Sequence, residues 1–161
     1  MFICLLSRVS KTCFAIFTAL IITQFAVSSS SFAQPAPIEL VTVATQKGAF
    51  KFRTEIANTP MNLQRGLMFR HKLPQDRAML FDWGRDQVAN MWMKNTIISL
   101  DMIFISRGGT VVGFKTNTTP KSLEVISSRT PVAAVLEVVA GTAERIGLKR
   151  GDLVTHPMFN R

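Results

Sequence analysis

Polar and apolar residues alternate most cleanly from Phe50 to Ile56, where Phe50, Phe52, Thr54 and Ile56 are interleaved with Lys51, Arg53 and Glu55. A period of two puts one set against a core and the other in water, which predicts a half-buried strand. Gln46-Lys47-Gly48 supplies a turn just before it, and Ile38 to Val43 begins a strand-like stretch, so the two form a first hairpin. Ala78-Met79-Leu80-Phe81 reads as a short buried strand. Met91 to Ile105, M-W-M-K-N-T-I-I-S-L-D-M-I-F-I, is the most strand-like stretch of the chain. Val132 to Val139 is almost wholly apolar, which predicts a strand buried on both faces.

Gly108-Gly109 marks a second hairpin, because a two-residue turn needs positive φ at its centre and glycine supplies it without steric cost. Counting outward puts Ile105 opposite Val112, Ile103 opposite Phe114 and Asp101 opposite Thr116, all on one side of the sheet. Two short helices interrupt the strands. Thr59-Pro60 starts the first, with Leu63, Gly66 and Leu67 on one face and Leu73-Pro74 closing the segment. Thr142 is expected to cap the second, a single turn through Ile146 that Gly147 stops. Lys149-Arg150-Gly151-Asp152 then turns into Leu153-Val154. The fold class is mainly β: a small antiparallel barrel or strongly curled sheet with two short helices.

The first 33 residues do not belong to that pattern. Arg8 and Lys11 precede an apolar run from Thr12 to Val27, and a serine-rich stretch ends in Ser31-Phe32-Ala33, the small-x-small form of a signal-peptidase site. Residues 1–33 are read as an export signal, with an uncleaved N-terminal membrane anchor as the alternative. Thr18, Thr23 and Gln24 interrupt the run, which is shorter than the roughly 20 apolar residues of a spanning helix. Cleavage would remove 33 of 161 residues, leaving 128 in the periplasm or outside the cell. It would also remove Cys4 and Cys13, so the domain would be held by packing alone. Arg8 and Lys11 leave with it, and the net charge of +9 becomes +7. Such a charge favours anionic envelope surfaces. The Lys and Arg are scattered singly, as on a solvated face, and export argues against nucleic acid.

Asp101 and Glu137 are the sharpest candidates for chemistry. Each interrupts an apolar strand and shares its pleat face with apolar neighbours, Ile103 and Ile105 for one and Val135 and Val139 for the other. A buried carboxylate needs partners, and such acids cluster at functional sites. The alternative is an acid that accepts backbone N–H bonds at a bulge or barrel rim. Trp92, Lys94 and Thr96 share a face if the strand persists through them, and Asn95 lies beside them. A flat aromatic surface next to an ammonium suits a sugar or a polar ligand with an anionic group. The competing reading is a rim tryptophan with Lys94 snorkelling past it. Because an uncompensated buried charge is costly, Asp101 and Glu137 are expected to form one polar cluster within reach of Lys94.

Other chemistries have less support. Two carboxylates admit a glycan-directed hydrolase, provided Asp101 and Glu137 oppose each other across a cleft. Nucleophilic catalysis lacks a mature cysteine and a G-x-S-x-G motif, and His71 and His156 are the available bases. Met91 and Met93 raise cuprous ion, but methionine is more often core filler and no cluster has ligand spacing. No metal or cofactor is called for. Arg65 and Arg70 flank G-L-M-F and are weak anion-binding candidates, weighed against surface charges at the end of a short helix.

R-G-L-M-F-R at Arg65 to Arg70, M-L-F at Met79 to Phe81, W-M-K-N-T at Trp92 to Thr96 and L-D-M-I-F-I at Leu100 to Ile105 occur in order. V-L-E at Val135 to Glu137 and A-G-T-A-E-R-I-G-L-K-R-G-D-L-V follow. Together these motifs resemble domain-of-unknown-function family 192, over about Phe52 to Val154. The resemblance implies a small, mostly β, often exported protein and brings no established activity. Ser99 stands where that family usually has proline, and Ala78 where it usually has glycine. The expected organisation is a signal at 1–33, a tether and first strand at 34–50, and one β domain at 51–156. The expected function is non-enzymatic binding of a small polar or glycan-like ligand by a monomer, at Trp92, Lys94, Asn95, Asp101 and Glu137. An envelope protein–protein interaction module, which would show an exposed patch of Phe and Met, is a further alternative to the hydrolase.

Overall fold

The computed structural model describes residues 36–160; the expected export signal with Cys4 and Cys13, and its cleavage site before Gln34, lie outside the described residues. The strands are β1 (Ile38–Thr45), β2 (Gly48–Ala57), β3 (Arg77–Met91), β4 (Leu100–Ile105), β5 (Val111–Lys115), β6 (Ile126–Val139) and β7 (Leu153–Thr155). Helices α1 (Pro60–Arg65) and α2 (Thr142–Ile146) and a closing 3-10 turn, Pro157–Asn160, complete the domain. One seven-stranded sheet runs in the order β5-β4-β6-β3-β2-β1-β7 and curls into a half-barrel. All pairs are antiparallel except β2 with β3, whose connection contains α1. The curl closes on itself over a few residues, where Val111 N donates to Asp152 O at 2.9 Å, Gly151 N to Val111 O at 2.8 Å and Val154 N to Gly109 O at 2.7 Å.

The first hairpin forms as its alternation requires. Thr45 pairs with Gly48 across Gln46-Lys47, and Phe52, Thr54 and Ile56 are buried while Lys51 and Arg53 are exposed. Thr59 caps α1 by accepting from Asn62 N, with Pro60 at the first helical position. The second hairpin keeps Ile103 opposite Phe114, but Ile105 pairs with Val111 rather than Val112. Only Gly109 has positive φ (78°), so the loop is a three-residue turn closed by Ser106 N to Thr110 O, and a bulge between Phe104 and Ile105 restores the register. A Cβ on Gly109 would lie 2.4 Å from Val154 O, so glycine is required there by space as well as by φ.

Three expectations are corrected. The strand expected over Met91 to Ile105 is broken: β3 ends at Met91, β4 begins at Leu100, and Asn95 between them has φ 58°. The four-residue strand at Ala78–Phe81 is the start of the fifteen-residue β3, whose polar middle bulges out between Asp82 and Gln87. Thr142 does not cap α2; the cap position is Gly141 in the left-handed region, and the buried Thr142 hydroxyl has no partner among the described residues. Gly147 ends α2 with φ 66°, as expected.

The sheet separates two apolar clusters. Its concave side holds Val41, Phe52, Ile56, Leu80, Ile103, Ile105, Leu136 and Val138, plugged by Ala143 and Ile146 of α2. Its outer side holds Met79, Phe81, Met91, Met93, Met102, Phe104 and Val135, covered by Leu67 and Leu73 from the segment after α1. Both faces of β4 and of the second half of β6 are therefore buried.

Candidate functional site

Register decides where the two acids go. Asp101 pairs with Val138, and Glu137 pairs with Met79 on one side and Met102 on the other. Paired residues share a face, so Asp101 belongs to the concave side with Ile103 and Ile105, and Glu137 to the outer side between two methionines. The expected single cluster of Asp101, Glu137 and Lys94 is not formed. Nor do the acids oppose each other across a cleft, which removes the hydrolase geometry that required it.

Asp101 is fully buried and occupied by backbone. One carboxylate oxygen accepts from Asn117 N at 2.9 Å, the other from Ala143 N at 2.8 Å. It supplies the side-chain cap that α2 lacks, from 42 residues earlier in the chain. This is the backbone-accepting alternative weighed above, with each carboxylate oxygen engaged by one backbone N–H.

Glu137 has the opposite environment. It is 4 % exposed, and among the described residues no donor or cation is placed against its carboxyl. Burial alone pushes its pKa up to about 8, so at neutral pH the protonated, uncharged form predominates. It lines a recess of about 40 Å³ together with Phe81, Met91, Trp92, Thr96 and, from α1 and the turn after it, Arg65. Trp92 is half-exposed at the end of β3, and Lys94 Nζ sits 5.4 Å from the centre of its indole. Thr96 is buried beside them, its backbone N–H held by Met93 O at 2.9 Å. The recess has room for one small group rather than a whole ligand.

The structure thus brings Trp92 and Glu137 together and adds Lys94 through the indole. Asn95 lies elsewhere: it lines a separate hollow of about 490 Å³ with Lys94, Phe69, Ile97, Lys121 and Leu123. Its left-handed backbone is fixed by Phe69 N donating to Asn95 O at 2.9 Å. Arg65 and Arg70 also separate, since Arg65 lines the recess while Arg70 forms a two-pronged ion pair with Glu55, 2.5 and 2.7 Å. Arg70 is therefore corrected from anion site to structural pair. Its hydrogen bond holds the Glu55 pKa below the usual range despite burial. Arg70→Ala should cost only about 1 kcal/mol at neutral pH, because the guanidinium is 36 % exposed and screened. That loss should vanish as pH falls through the depressed Glu55 pKa, where the wild type loses the pair as well; a series of denaturant titrations from pH 7 down into the acid range reads it. Gln64 and Met68 line the recess too, and nothing in the periodicity of their segment marked them.

Met91 and Met93 are both buried in the outer apolar cluster. Among the described residues no group of three or more His, Cys, Asp or Glu converges as a metal site. No described helix is long and apolar enough to cross a membrane.

Two solved structures share this architecture. A candidate transcription regulator from Sinorhizobium meliloti 1021 is 40 % identical, with a TM-score of 0.73 over 75 % of this chain and 95 % of its own. A protein of unknown function from Novosphingobium aromaticivorans DSM 12444 is 36 % identical, again with a TM-score of 0.73, over 75 % of this chain and 86 % of its own. None of the curated proteins matches the sequence significantly. The family model of domain-of-unknown-function family 192, described as an uncharacterized ACR, matches residues 41–156. Strand order, buried acids and motif order all lie inside that span, and the chain belongs to family 192.

Proposed function

We propose that the domain is a non-enzymatic binding module for a sugar or sugar-acid unit. The unit rests against Trp92 and inserts a hydroxyl-bearing group into the recess above Glu137. The observation that carries this reading is Glu137 itself, an acid only 4 % exposed as a residue that lines the wall of a recess with no hydrogen bond or ion pair to its carboxyl among the described residues. A carboxyl that opens onto a recess keeps its hydrogen-bonding capacity for whatever enters it, and a ligand group can take the place of water there. In its neutral form the acid offers one O–H donor and several acceptor sites, a match for an alcohol, which also donates and accepts. Trp92 supplies the flat apolar surface, and Lys94 and Arg65 supply cations for a carboxylate-bearing sugar. Asp101 takes no part, because both its oxygens are engaged by backbone.

Thermal melts with glucose, N-acetylglucosamine and glucuronate test the proposal. At ten times the Kd a ligand specific to the folded state should raise Tm by about 5 °C. Trp92→Ala, at a half-exposed position, should fold normally and lose the shift. A shift of the same size in Trp92→Ala, or none in the wild type at tens of millimolar sugar, would sink the reading.

A further inference from the structure

We propose that the outer face of the sheet carries a second binding site, a basic pocket between β5 and the start of β6 that takes a small organic phosphate ester. The cavity measures about 360 Å³ and shares no residue with the Glu137 recess. Lys115, Arg129 and Arg150 line it, along with Phe104 and Gly113. All three cations are exposed, and none is ion-paired among the described residues. Glu124 is the one acid on the same lining, so the wall keeps an excess of two positive charges.

Two features hold cations at this place rather than letting them spread. The first is a bulge in β6. Asn90 pairs with Ser127 and Val88 with Pro131, so three residues on β6 oppose Ala89 alone. Arg129, the middle one, has φ 62°, a conformation that a side chain rarely accepts. Side-chain hydrogen bonds fix it there: Arg129 N to Ser127 Oγ at 3.2 Å, Ala89 N to Ser128 Oγ at 3.0 Å and Ser128 Oγ to Thr130 O at 2.6 Å. Bulges of this kind re-aim a side chain, and strained backbone gathers at ligand sites. The second feature is Gly113, directly opposite Phe104. The Arg150 guanidinium packs over Gly113, 3.4 Å from where a Cβ would stand and in ordinary contact range, beside the Phe104 ring at 3.7 Å.

The chemistry follows from shape and charge. Guanidinium groups bind phosphate oxygens with two parallel N–H donors, and two of them with an ammonium suit a dianion. The cavity is larger than a bare ion needs and lies in the range of small-molecule sites. Phe104 and Val125 give it an apolar share of wall, which an ester group can cover.

Phenyl phosphate, titrated into 15N-labelled protein, is the probe. Backbone resonances of Gly113 and Arg129 should shift and saturate, and those of Trp92 and Thr96 should not. Arg129→Gly removes the guanidinium while suiting the positive φ, so the fold is kept; binding should weaken roughly tenfold or more. Lys51→Gln, an exposed cation on β2, should leave binding unchanged. Vesicles containing phosphatidic acid separate the sources. Sedimentation with them that phenyl phosphate competes away assigns the phosphate to a lipid headgroup, and failure to sediment assigns it to a free ester; both support the pocket. Equal weakening by Arg129→Gly and Lys51→Gln overturns it, as does the absence of any phenyl phosphate response. Arg129-dependent binding of duplex DNA without a phenyl phosphate response also overturns it.

Discussion

Between about pH 5 and pH 8 the unfolding free energy of the wild-type domain should fall, and in Glu137→Gln that part of the fall should be missing. Burial raises the Glu137 pKa to about 8, whereas in the unfolded chain the group is an ordinary carboxylic acid near 4.3. The native state therefore keeps a proton that the unfolded state gives up, and above the unfolded pKa each rise in pH favours unfolding. The contribution is fully present below about pH 4.3 and is gone once pH passes the folded value near 8. Its size over that window is roughly 5 kcal/mol, against the roughly 5–15 kcal/mol that holds a domain together. Glutamine has the same length and no proton to lose. At pH 8 the variant should be several kcal/mol more stable than the wild type, and near pH 5 the two should agree within about 1 kcal/mol. Urea titrations of both proteins from pH 5 to pH 9 measure the difference, from which groups common to both cancel. Parallel profiles would mean that the Glu137 carboxyl is not desolvated. The same variant bears on ligand binding independently, since it keeps an acceptor and a donor in the recess without the titration.

Asp101→Ala should cost about 3–5 kcal/mol and loosen α2 before the rest of the sheet. The fully buried carboxylate accepts two backbone N–H groups, and charge-assisted bonds of this kind contribute about 1.5–3 kcal/mol each. Alanine would leave Asn117 N and Ala143 N without acceptors, and α2, five residues long with no cap from its own sequence, would lose its anchor. Asp101→Asn retains one acceptor oxygen and should lose about half as much. Hydrogen exchange should accelerate first at Ala143 and Asn117. Because Glu137 lies on the other face of the sheet, Asp101→Asn and Glu137→Gln should add within about 0.3–0.5 kcal/mol. A loss below about 1 kcal/mol for Asp101→Ala would contradict the capping role.

The first hairpin was readable because one face of β2 is wet: Lys51 and Arg53 report the side that Phe52 and Ile56 do not occupy. That signal disappears in β4, where all six residues are buried, and in β6 from Val132 to Val138. An acid in such a strand is visible as an interruption, so both Asp101 and Glu137 could be picked out. The side each one faces depends on a one-residue register, which no hydrophobic pattern fixes when both faces are apolar. Trp92 to Thr96 misled for another reason. Their alternation is strand-like, but Asn95 adopts positive φ, which asparagine accepts more readily than most residues, and the segment is a loop. The length of β3 was hidden by Asp82 to Asp86, where charged residues and Gly84 around Trp83 look like a loop and form a bulge. The cap of α2 comes from far along the chain, and no local motif around Thr142 could reveal it. The recess inherits all of these difficulties, since it gathers residues from α1, β3, β6 and the loop between β3 and β4.

The first strand in the chain, β1, is bonded to the last, β7. Val43 pairs with Val154, and His156 Nε2 lies 3.0 Å from the Glu39 carboxylate, so the two ends of the domain meet along one seam. On a ribosome, β1 emerges more than a hundred residues before Leu153 and keeps a bare edge of N–H and C=O groups while it waits. The hairpin with β2 can form early, since it is local, but the pairing of β1 with β7 spans almost the whole domain and is slow to find. Folding is thus completed only after synthesis of the domain is essentially finished, and the interval in between is the time when β1 is most exposed to pairing with another nascent copy.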